Sequence, residues 1–296
     1  MLQRFLDPDT LASISGLDLI AKTVVDGFVN GLHRSPDFGF SQEFAEYRAY
    51  TPGDDLRHVD WNVFARTDRA FLKRYRGETN SQLLVLLDTS ASMAYGSHAV
   101  HKLDFARYLA ASLCYMASYQ RDAAGLIVFD EDVENYVAPS TRQGQLFRLL
   151  HAIEKAAPGT RTDFVKPFFH FQNYLRRRGI VVVLSDFYEQ PDTIVATIEP
   201  LRQRGNDVVL FHVLDPQEIS PKFRDPVLLV DMEDNTAALE VSPDYARNVY
   251  KGKIAAHIEA LRDKTKAAGM DYFLMDTARP LDEGLREYLF IRQGRM

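Results

Sequence analysis

Short runs of apolar, β-branched residues alternate along most of the chain with longer stretches whose apolar positions recur every three or four residues. Leu83–Leu87, Gly125–Phe129, Ile180–Leu184, Val208–Val213 and Tyr272–Met275 are each too short for a core helix and are bounded by turn or charged residues. They predict the strands of a mostly parallel sheet buried on both faces. The intervening stretches Lys102–Tyr119, Gln145–Ala156, Asp163–Arg178, Thr193–Arg204 and Tyr245–Ala268 predict the helices that right-handed crossovers require, and Leu281–Gln293 predicts a last one. Glu134–Ala138 follows its predecessor too closely for a helical crossover, which predicts an antiparallel edge strand. Val227–Val230 and Ala238–Val241 flank Glu233-Asp234-Asn235 and predict a small hairpin ahead of the long C-terminal helix. Upstream, Leu17, Ile20, Val24 and Phe28 lie at helical spacing within Leu11–Leu32, an amphipathic pattern. Asp18, Lys22 and Asp26 interrupt its apolar run, so it predicts neither a membrane span nor a cleaved leader. Residues 33 to 80 are polar, aromatic and glycine-containing. The expected organisation is an N-terminal extension over 1–80 and an α/β domain over 81–296, with the hairpin inserted at about 216–242.

Composition narrows the function classes. In 296 residues, 46% are hydrophobic and 26% charged, which excludes a disordered, collagen-like or coiled-coil chain. Basic residues number 35 against 41 acidic ones, for a net charge of −6. That deficit argues against general binding to nucleic acid or to an anionic membrane. The single cysteine, Cys114, leaves no intrachain disulfide and no cysteine-based zinc site. It reads as a small buried apolar residue in a reducing compartment, and the expected location is the cytoplasm.

The candidate chemistry lies where Leu83–Leu87 runs into Asp88-Thr89-Ser90-Ala91-Ser92. In an open α/β sheet, ligands bind outside the carboxyl ends of strands. Asp-x-Ser-x-Ser puts one carboxylate and two hydroxyls on alternate residues of a tight loop, where their oxygens converge on one point. A small hard cation suits such an oxygen set. Capping of the following helix by Ser90 and Ser92 explains the same residues equally well. Two further features fall on the same edge: Thr160-Arg161-Thr162-Asp163, and Ser185-Asp186 after Ile180–Leu184. Other signatures are missing. There is no Gly-x-Gly-x-x-Gly, and Gly252-Lys253 is followed by Ile254 where a Walker A motif has Ser or Thr. No His-Glu-x-x-His or Gly-x-Ser-x-Gly occurs, and the eight histidines lack metal spacing. His98 and His101, at a helix start, are expected to face solvent. Arg176-Arg177-Arg178 complements a helix dipole rather than forming a nucleic-acid patch. Thr236 stands where a calcium loop needs glycine.

Asp88, Ser90, Ser92, Thr162 and Asp186, taken in order, resemble the metal-ion-dependent adhesion site of the von Willebrand factor A fold. Thr162 is chosen because it precedes Asp163, and Thr160 is its alternative. A second resemblance covers nearly the whole chain. It runs through Gly31, His33, Ser35, Gly39, Phe44, Glu46, Arg48, Tyr50, Pro52-Gly53-Asp54-Asp55-Leu56-Arg57, Asp60-Trp61, Ala65-Arg66-Thr67 and Lys73. It resumes at Asp215-Pro216, Asp231, Glu233, Tyr250, His257 and the run Thr277 to Arg292. These residues resemble the bacterial domain-of-unknown-function family 58. Its members are similar to von Willebrand A proteins and are often encoded beside MoxR-type AAA+ ATPases. The resemblance implies an α/β, von Willebrand A-like fold and an adaptor or co-chaperone role. It also implies a magnesium site, with manganese or calcium compatible, and a protein partner supplying Asp or Glu: a MoxR-type ATPase or its client. By residue chemistry Gly53–Trp61 is a charged turn, with Arg57 near carboxylates and Trp61 as a core anchor. Two function classes follow, a non-enzymatic metal-dependent protein-binding module and a metal-dependent phosphoesterase. Neutral hydroxyl ligands favour binding, because they leave the cation's charge partly uncompensated, whereas a hydrolase also needs a general acid or base.

Overall fold

A computed structural model describes residues 16–32, 44–49, 63–64, 66, 69–75, 82–159, 164–171, 174, 178–230, 232 and 238–293. They fall into two compact units, Met1–Phe28 with Ser81–Met296, and Val29–Asn80. Among the described residues the first element is helix α1 (Leu17–Leu32), which starts after Gly16 at φ 103° and buries Leu17, Ile20, Ala21, Val24 and Val25. In the smaller unit, β1 (Phe44–Ala49) pairs antiparallel with β2 (Phe71–Tyr75), setting Glu46 opposite Arg74. The Gly53–Trp61 turn lies outside the described residues.

The larger unit is built on β3 (Gln82–Asp88), α2 (Lys102–Tyr119), β4 (Ala123–Phe129), β5 (Val133–Ser140), α3 (Gln145–Lys155), α4 (Val165–Phe171), β6 (Ile180–Ser185), α5 (Pro191–Gln203), β7 (Asp207–Leu214), α6 (Pro216–Ile219), β8 (Val227–Val230), β9 (Ala238–Val241), α7 (Lys251–Ala267), β10 (Asp271–Asp276) and α8 (Leu281–Gln293). Six of the strands form one sheet in the order β10-β7-β6-β3-β4-β5. All pairs are parallel except β4 with β5, the edge strand that a short connection forces to turn back. Starting from β3 this is the doubly wound order 3-2-1-4-5-6, with the von Willebrand A-like antiparallel third strand. The wiring reverses between β3 and β6, and the crevice at their carboxyl ends is where such a sheet receives a ligand.

Helices cover both faces because β3 and β6 are buried at every residue. On one face α4, α5 and α7 lay Phe164, Phe168, Phe171, Ile194, Ile198, Leu201 and Leu261 on Leu84, Leu86, Phe129, Val181, Val183 and Leu210. Phe129 is the hub, with the rings of Phe164, Phe168 and Phe171 at 6.4, 5.7 and 5.4 Å in edge-on geometry. On the other face α2 crosses β3, β4, β6 and β7, and Tyr288 of α8 packs against Phe211 and Phe273.

Two helices differ from their expected form. Of the expected Asp163–Arg178 helix, the described residues carry α4 over Val165–Phe171, with Phe164 in a bend, Tyr174 in a turn and Arg178 outside any helix, and the remaining positions lie outside the described residues. Gly179 passes so close to β3 that a Cβ there would stand 2.2 Å from the Gln82 carbonyl oxygen. The expected Tyr245–Ala268 helix begins earlier, as a turn over Pro243–Tyr245 capped by the Ser242 hydroxyl. It passes through a π turn at Ala246–Tyr250 before α7. The expected hairpin is present as β8 and β9, with Val227 opposite Val241. Cys114 is fully buried and burial pushes its thiol up to about 12, an inert core residue. Among the described residues no helix is long and apolar enough to cross a membrane.

Truncating the aromatic hub tests this packing. Phe129→Ala is expected to lower the unfolding free energy by about 3–5 kcal/mol in urea denaturation. Phe169→Ala, on the exposed side of α4, should stay within about 0.5 kcal/mol of wild type.

Candidate metal centre

Asp88 is the last residue of β3 and is completely buried. Its Oδ1 accepts from the Ser90 backbone N–H at 2.8 Å, and its Oδ2 accepts from the Ser185 hydroxyl of the neighbouring strand at 2.5 Å. Thr89 turns the other way and donates its hydroxyl and its N–H to the Phe129 carbonyl at 3.0 and 2.8 Å. Beyond Ser90 the chain enters the 3₁₀ turn Ala91–Ala94, which brings the Ser90 and Ser92 hydroxyl oxygens within 3.1 Å of each other. Capping does not explain these hydroxyls. Ser90 precedes the short 3₁₀ turn Ala91–Ala94 without a side-chain capping bond, and the residue that leads into α2 is His101. The Thr89 carbonyl accepts from the Gly159 N–H, which ties the 150s loop to this edge. Thr162, and Thr160 with it, lies outside the described residues.

Asp186 follows β6 on a strained turn. Phe187 holds a φ of 47°, the left-handed region that a bulky residue rarely occupies. Three contacts enforce it: the Phe187 N–H donates to the Ser185 hydroxyl at 3.0 Å, its carbonyl accepts from His257 Nε2 at 2.9 Å, and its ring sits edge-on to Phe164. The turn sends the ring into the core and leaves the Asp186 carboxylate at the crevice beside Asp88.

Sequence reasoning missed the cation at this edge. Lys102, the first residue of α2, is fully buried, and its Nζ donates to Asp186 Oδ2 at 2.8 Å and to Glu218 Oε1 at 2.7 Å. Burial works against its charge, yet the Asp186 and Glu218 carboxylates outweigh this and hold its pKa above the usual lysine value. The rings of Tyr188 and Tyr95 flank the ammonium at 4.8 and 5.8 Å. A signal was available, since a lysine at the positive end of a helix dipole is disfavoured and needs another reason to be there. Glu218 Oε2 accepts from the Asp215 N–H, and Asp215 Oδ1 accepts from Gln217 N–H, a capping box closing α6. Asp215 also accepts from the Ser97 N–H and hydroxyl, both at 2.7 Å. His98 does not simply face solvent as expected. Its Nε2 shares a hydrogen bond with the Thr277 hydroxyl at 2.9 Å and lies 4.0 Å from Asp215. His101 bonds the Ala94 carbonyl.

The electrostatics leave Asp88 short of a partner. Burial, and then repulsion from Asp186, raise its pKa to about 7. Around one ammonium stand the carboxylates of Asp88, Asp186 and Glu218, and Lys102 reaches only the latter two. Among the described residues no group of three or more His, Cys, Asp and Glu is placed to hold a metal. A cation here would therefore depend on hydroxyls. Two carboxylates and two converging hydroxyls, all oxygen, fit a small hard divalent ion and suit soft or nitrogen-seeking metals poorly. Beside this edge opens a cavity of about 470 Å³ that reaches Ser92, Ser185 and Asp186.

Two variants test the charge balance. Lys102→Met leaves Asp186 and Glu218 facing each other unpaired and should cost about 3–5 kcal/mol of stability, part of which Glu218→Gln restores in the double variant. For Asp88 the sign follows from its raised pKa. With chelator present the folded protein keeps the proton up to about pH 7, while the unfolded chain releases it from about pH 4. Stability therefore falls as pH rises through that window, by up to about 4 kcal/mol from this group. Asp88→Asn should flatten the slope and be the more stable protein at pH 7.5, which thermal unfolding across pH 5–8 checks.

Comparison with known proteins follows the same outline. Uncharacterized protein Rv1480 of Mycobacterium tuberculosis and Uncharacterized protein Mb1516 of Mycobacterium bovis are each 28% identical over 279 residues, 92% of this chain and 86% of theirs. Among solved structures, BatB from Bacteroides thetaiotaomicron is 15% identical with a TM-score of 0.49, covering 71% of this chain and 98% of that one. The SpRpn10 VWA domain is 10% identical with a TM-score of 0.40, covering 70% and 94%. The family described as "Protein of unknown function DUF58" matches residues 46–260. That match takes in most of the chain's length, the loop after β3 included, and the chain belongs to the DUF58 family.

Proposed function

We propose that this protein is a non-enzymatic, metal-dependent protein-binding module, in which a divalent cation at the carboxyl edge of β3 and β6 recruits a partner's Asp or Glu side chain. The observation that carries this is the pairing of a buried, under-compensated carboxylate with two uncapped hydroxyls, Ser90 and Ser92, at the sheet's switch point. Ser90, Ser92 and Thr162 would be the direct ligands, with Asp88 and Asp186 holding metal-bound waters. Magnesium is favoured by oxygen-only ligation and abundance, and manganese or calcium meets the same demand. The bound ion would supply an electrophilic position for an external carboxylate. Lys102 strengthens that property by sharing the charge of Asp186, so less of it falls on the ion.

The enclosure of Asp88 supports binding over catalysis. Both of its oxygens are engaged, by the Ser90 N–H and the Ser185 hydroxyl, which disfavours the carboxylate as an attacking nucleophile. A partner of the MoxR-type AAA+ class, or its client, rests on the family resemblance. The acidic net charge of −6 favours a protein over nucleic acid.

Titration calorimetry of magnesium into wild type and Ser90→Ala/Ser92→Ala should show at least a tenfold loss of affinity in the variant, with unchanged far-ultraviolet circular dichroism. Equal affinities would sink the metal assignment. Surface plasmon resonance against a MoxR-type ATPase should give binding that chelator abolishes and that Arg178→Ala leaves unaltered.

A further inference from the structure

The cavity at the metal edge is larger than a hydrated ion and one carboxylate require. Its 470 Å³ falls in the range of pockets that enclose whole side chains or small molecules, roughly 300–1,000 Å³. It is chemically mixed. Its lining combines the polar Ser92, Ser185 and Asp186 with the apolar Phe223, Leu229, Val230 and Met232, of which Leu229 and Val230 belong to β8 and Met232 lies just beyond it. The apolar lining does not stop at the cavity. It continues onto the β8–β9 hairpin, where Leu228 is 64% exposed, Leu239 57% and Val230 49%. Among the described residues this hairpin is a two-stranded sheet of its own, with no third strand on either edge. Exposed apolar area contiguous with a pocket marks an interaction surface, and an unpaired edge accepts an extended chain.

Charge selects the occupant. Asp186, Glu189 and Glu218 line the cavity, so a bare anion is repelled unless a cation stands among the polar groups. A ligand that meets both kinds of lining therefore needs a carboxylate for the ion and bulky apolar substance for the rest. An extended protein segment supplies both within two or three residues and also reaches the hairpin edge. We propose that the cavity is a second subsite, which takes a large apolar side chain adjacent to the acidic residue that the partner presents to the metal. The preferred partner segment is an extended one with leucine-like residues beside an Asp or Glu. This rests on the metal-dependent reading above and extends it from one ligand atom to a sequence preference.

Fluorescein-labelled peptides test it by polarisation: Gly-Leu-Asp-Leu-Gly, the same peptide with Asn for Asp, and Gly-Gly-Asp-Gly-Gly, each amidated and measured with magnesium and with chelator. With magnesium the leucine–aspartate peptide should bind at least tenfold more tightly than the glycine one, which burial of one leucine suffices to produce. The Asn peptide and the chelated protein should each lose that binding. Leu229→Ser/Val230→Ser, at two partly exposed positions, should bring the leucine peptide down to the glycine peptide while magnesium affinity by calorimetry stays as in wild type. Equal, magnesium-dependent binding of the leucine and glycine peptides would overturn the apolar subsite and leave the metal reading standing. Leucine–aspartate binding that chelator leaves unchanged, or equal binding of the Asp and Asn peptides with magnesium, would overturn the metal reading and with it the paired preference. Binding of no peptide to a protein shown to carry magnesium would overturn the proposal as well.

Discussion

Negative charge gathered at a buried sheet edge is the constraint on which the rest of this molecule turns. Asp88, Asp186, Asp215 and Glu218 all lie at the carboxyl ends of β3, β6 and β7, where solvation is scarce. Burying a carboxylate is costly unless donors or a counter-ion compensate it. The fold meets that demand with backbone N–H groups, serine hydroxyls and one lysine. Lys102 is the hinge of the arrangement because a single ammonium serves two carboxylates that are 32 positions apart in sequence and belong to different loops.

The same lysine links the carboxyl edge of β3 and β6 to the cavity. Asp186 stands beside Asp88 at that edge, whereas Glu218 closes the cap of α6, from which the chain leads to the β8–β9 hairpin. Tyr188 lies over the ammonium and lines the cavity, as does Tyr250 at the end of the π turn. The strained Phe187 belongs to this group as well. Its left-handed backbone is held by His257 from α7 and by Ser185, the residue that also donates to Asp88. Strain of about 1–3 kcal/mol at such a position is typical of sites whose geometry is over-determined by their surroundings. Here the surroundings come from β3, β6, α2, α6 and α7, so the site is a property of the assembled sheet and not of any one loop.

A binding role is consistent with where the polar groups spend their hydrogen bonds. Asp88 is enclosed and serves to tune the edge, and the two serine hydroxyls face each other rather than a helix end. The apolar lining of the cavity and the uncovered hairpin add contact area beside a small, strongly directional polar point. That is how recognition surfaces combine affinity with register.

The strands of the sheet and the antiparallel edge were legible in the chain because buried parallel strands leave a signal that local rules read well. Leu83–Leu87 and Ile180–Leu184 are uninterrupted apolar runs, and the short step from Phe129 to Val133 leaves only an antiparallel return. The closeness of Asp88, Ser90 and Ser92 was legible too, since residues two apart in a tight loop are held together by local geometry, here a 3₁₀ turn. What the chain alone left open were pairings over long separations. The capping and metal readings of Ser90 and Ser92 were equivalent until the helix that follows proved to use neither hydroxyl. Nothing local to Lys102 names its partners, and only the folded chain brings it to Asp186 and Glu218. His98 was assigned to solvent for the same reason, its partner Thr277 being 179 residues away. The expected helix after Phe164 reached Arg178, which lies outside any helix, because periodicity does not mark the turn at Tyr174. Periodicity records which face is buried, but electrostatic partnership depends on the distance between atoms, and only the closed sheet sets that distance.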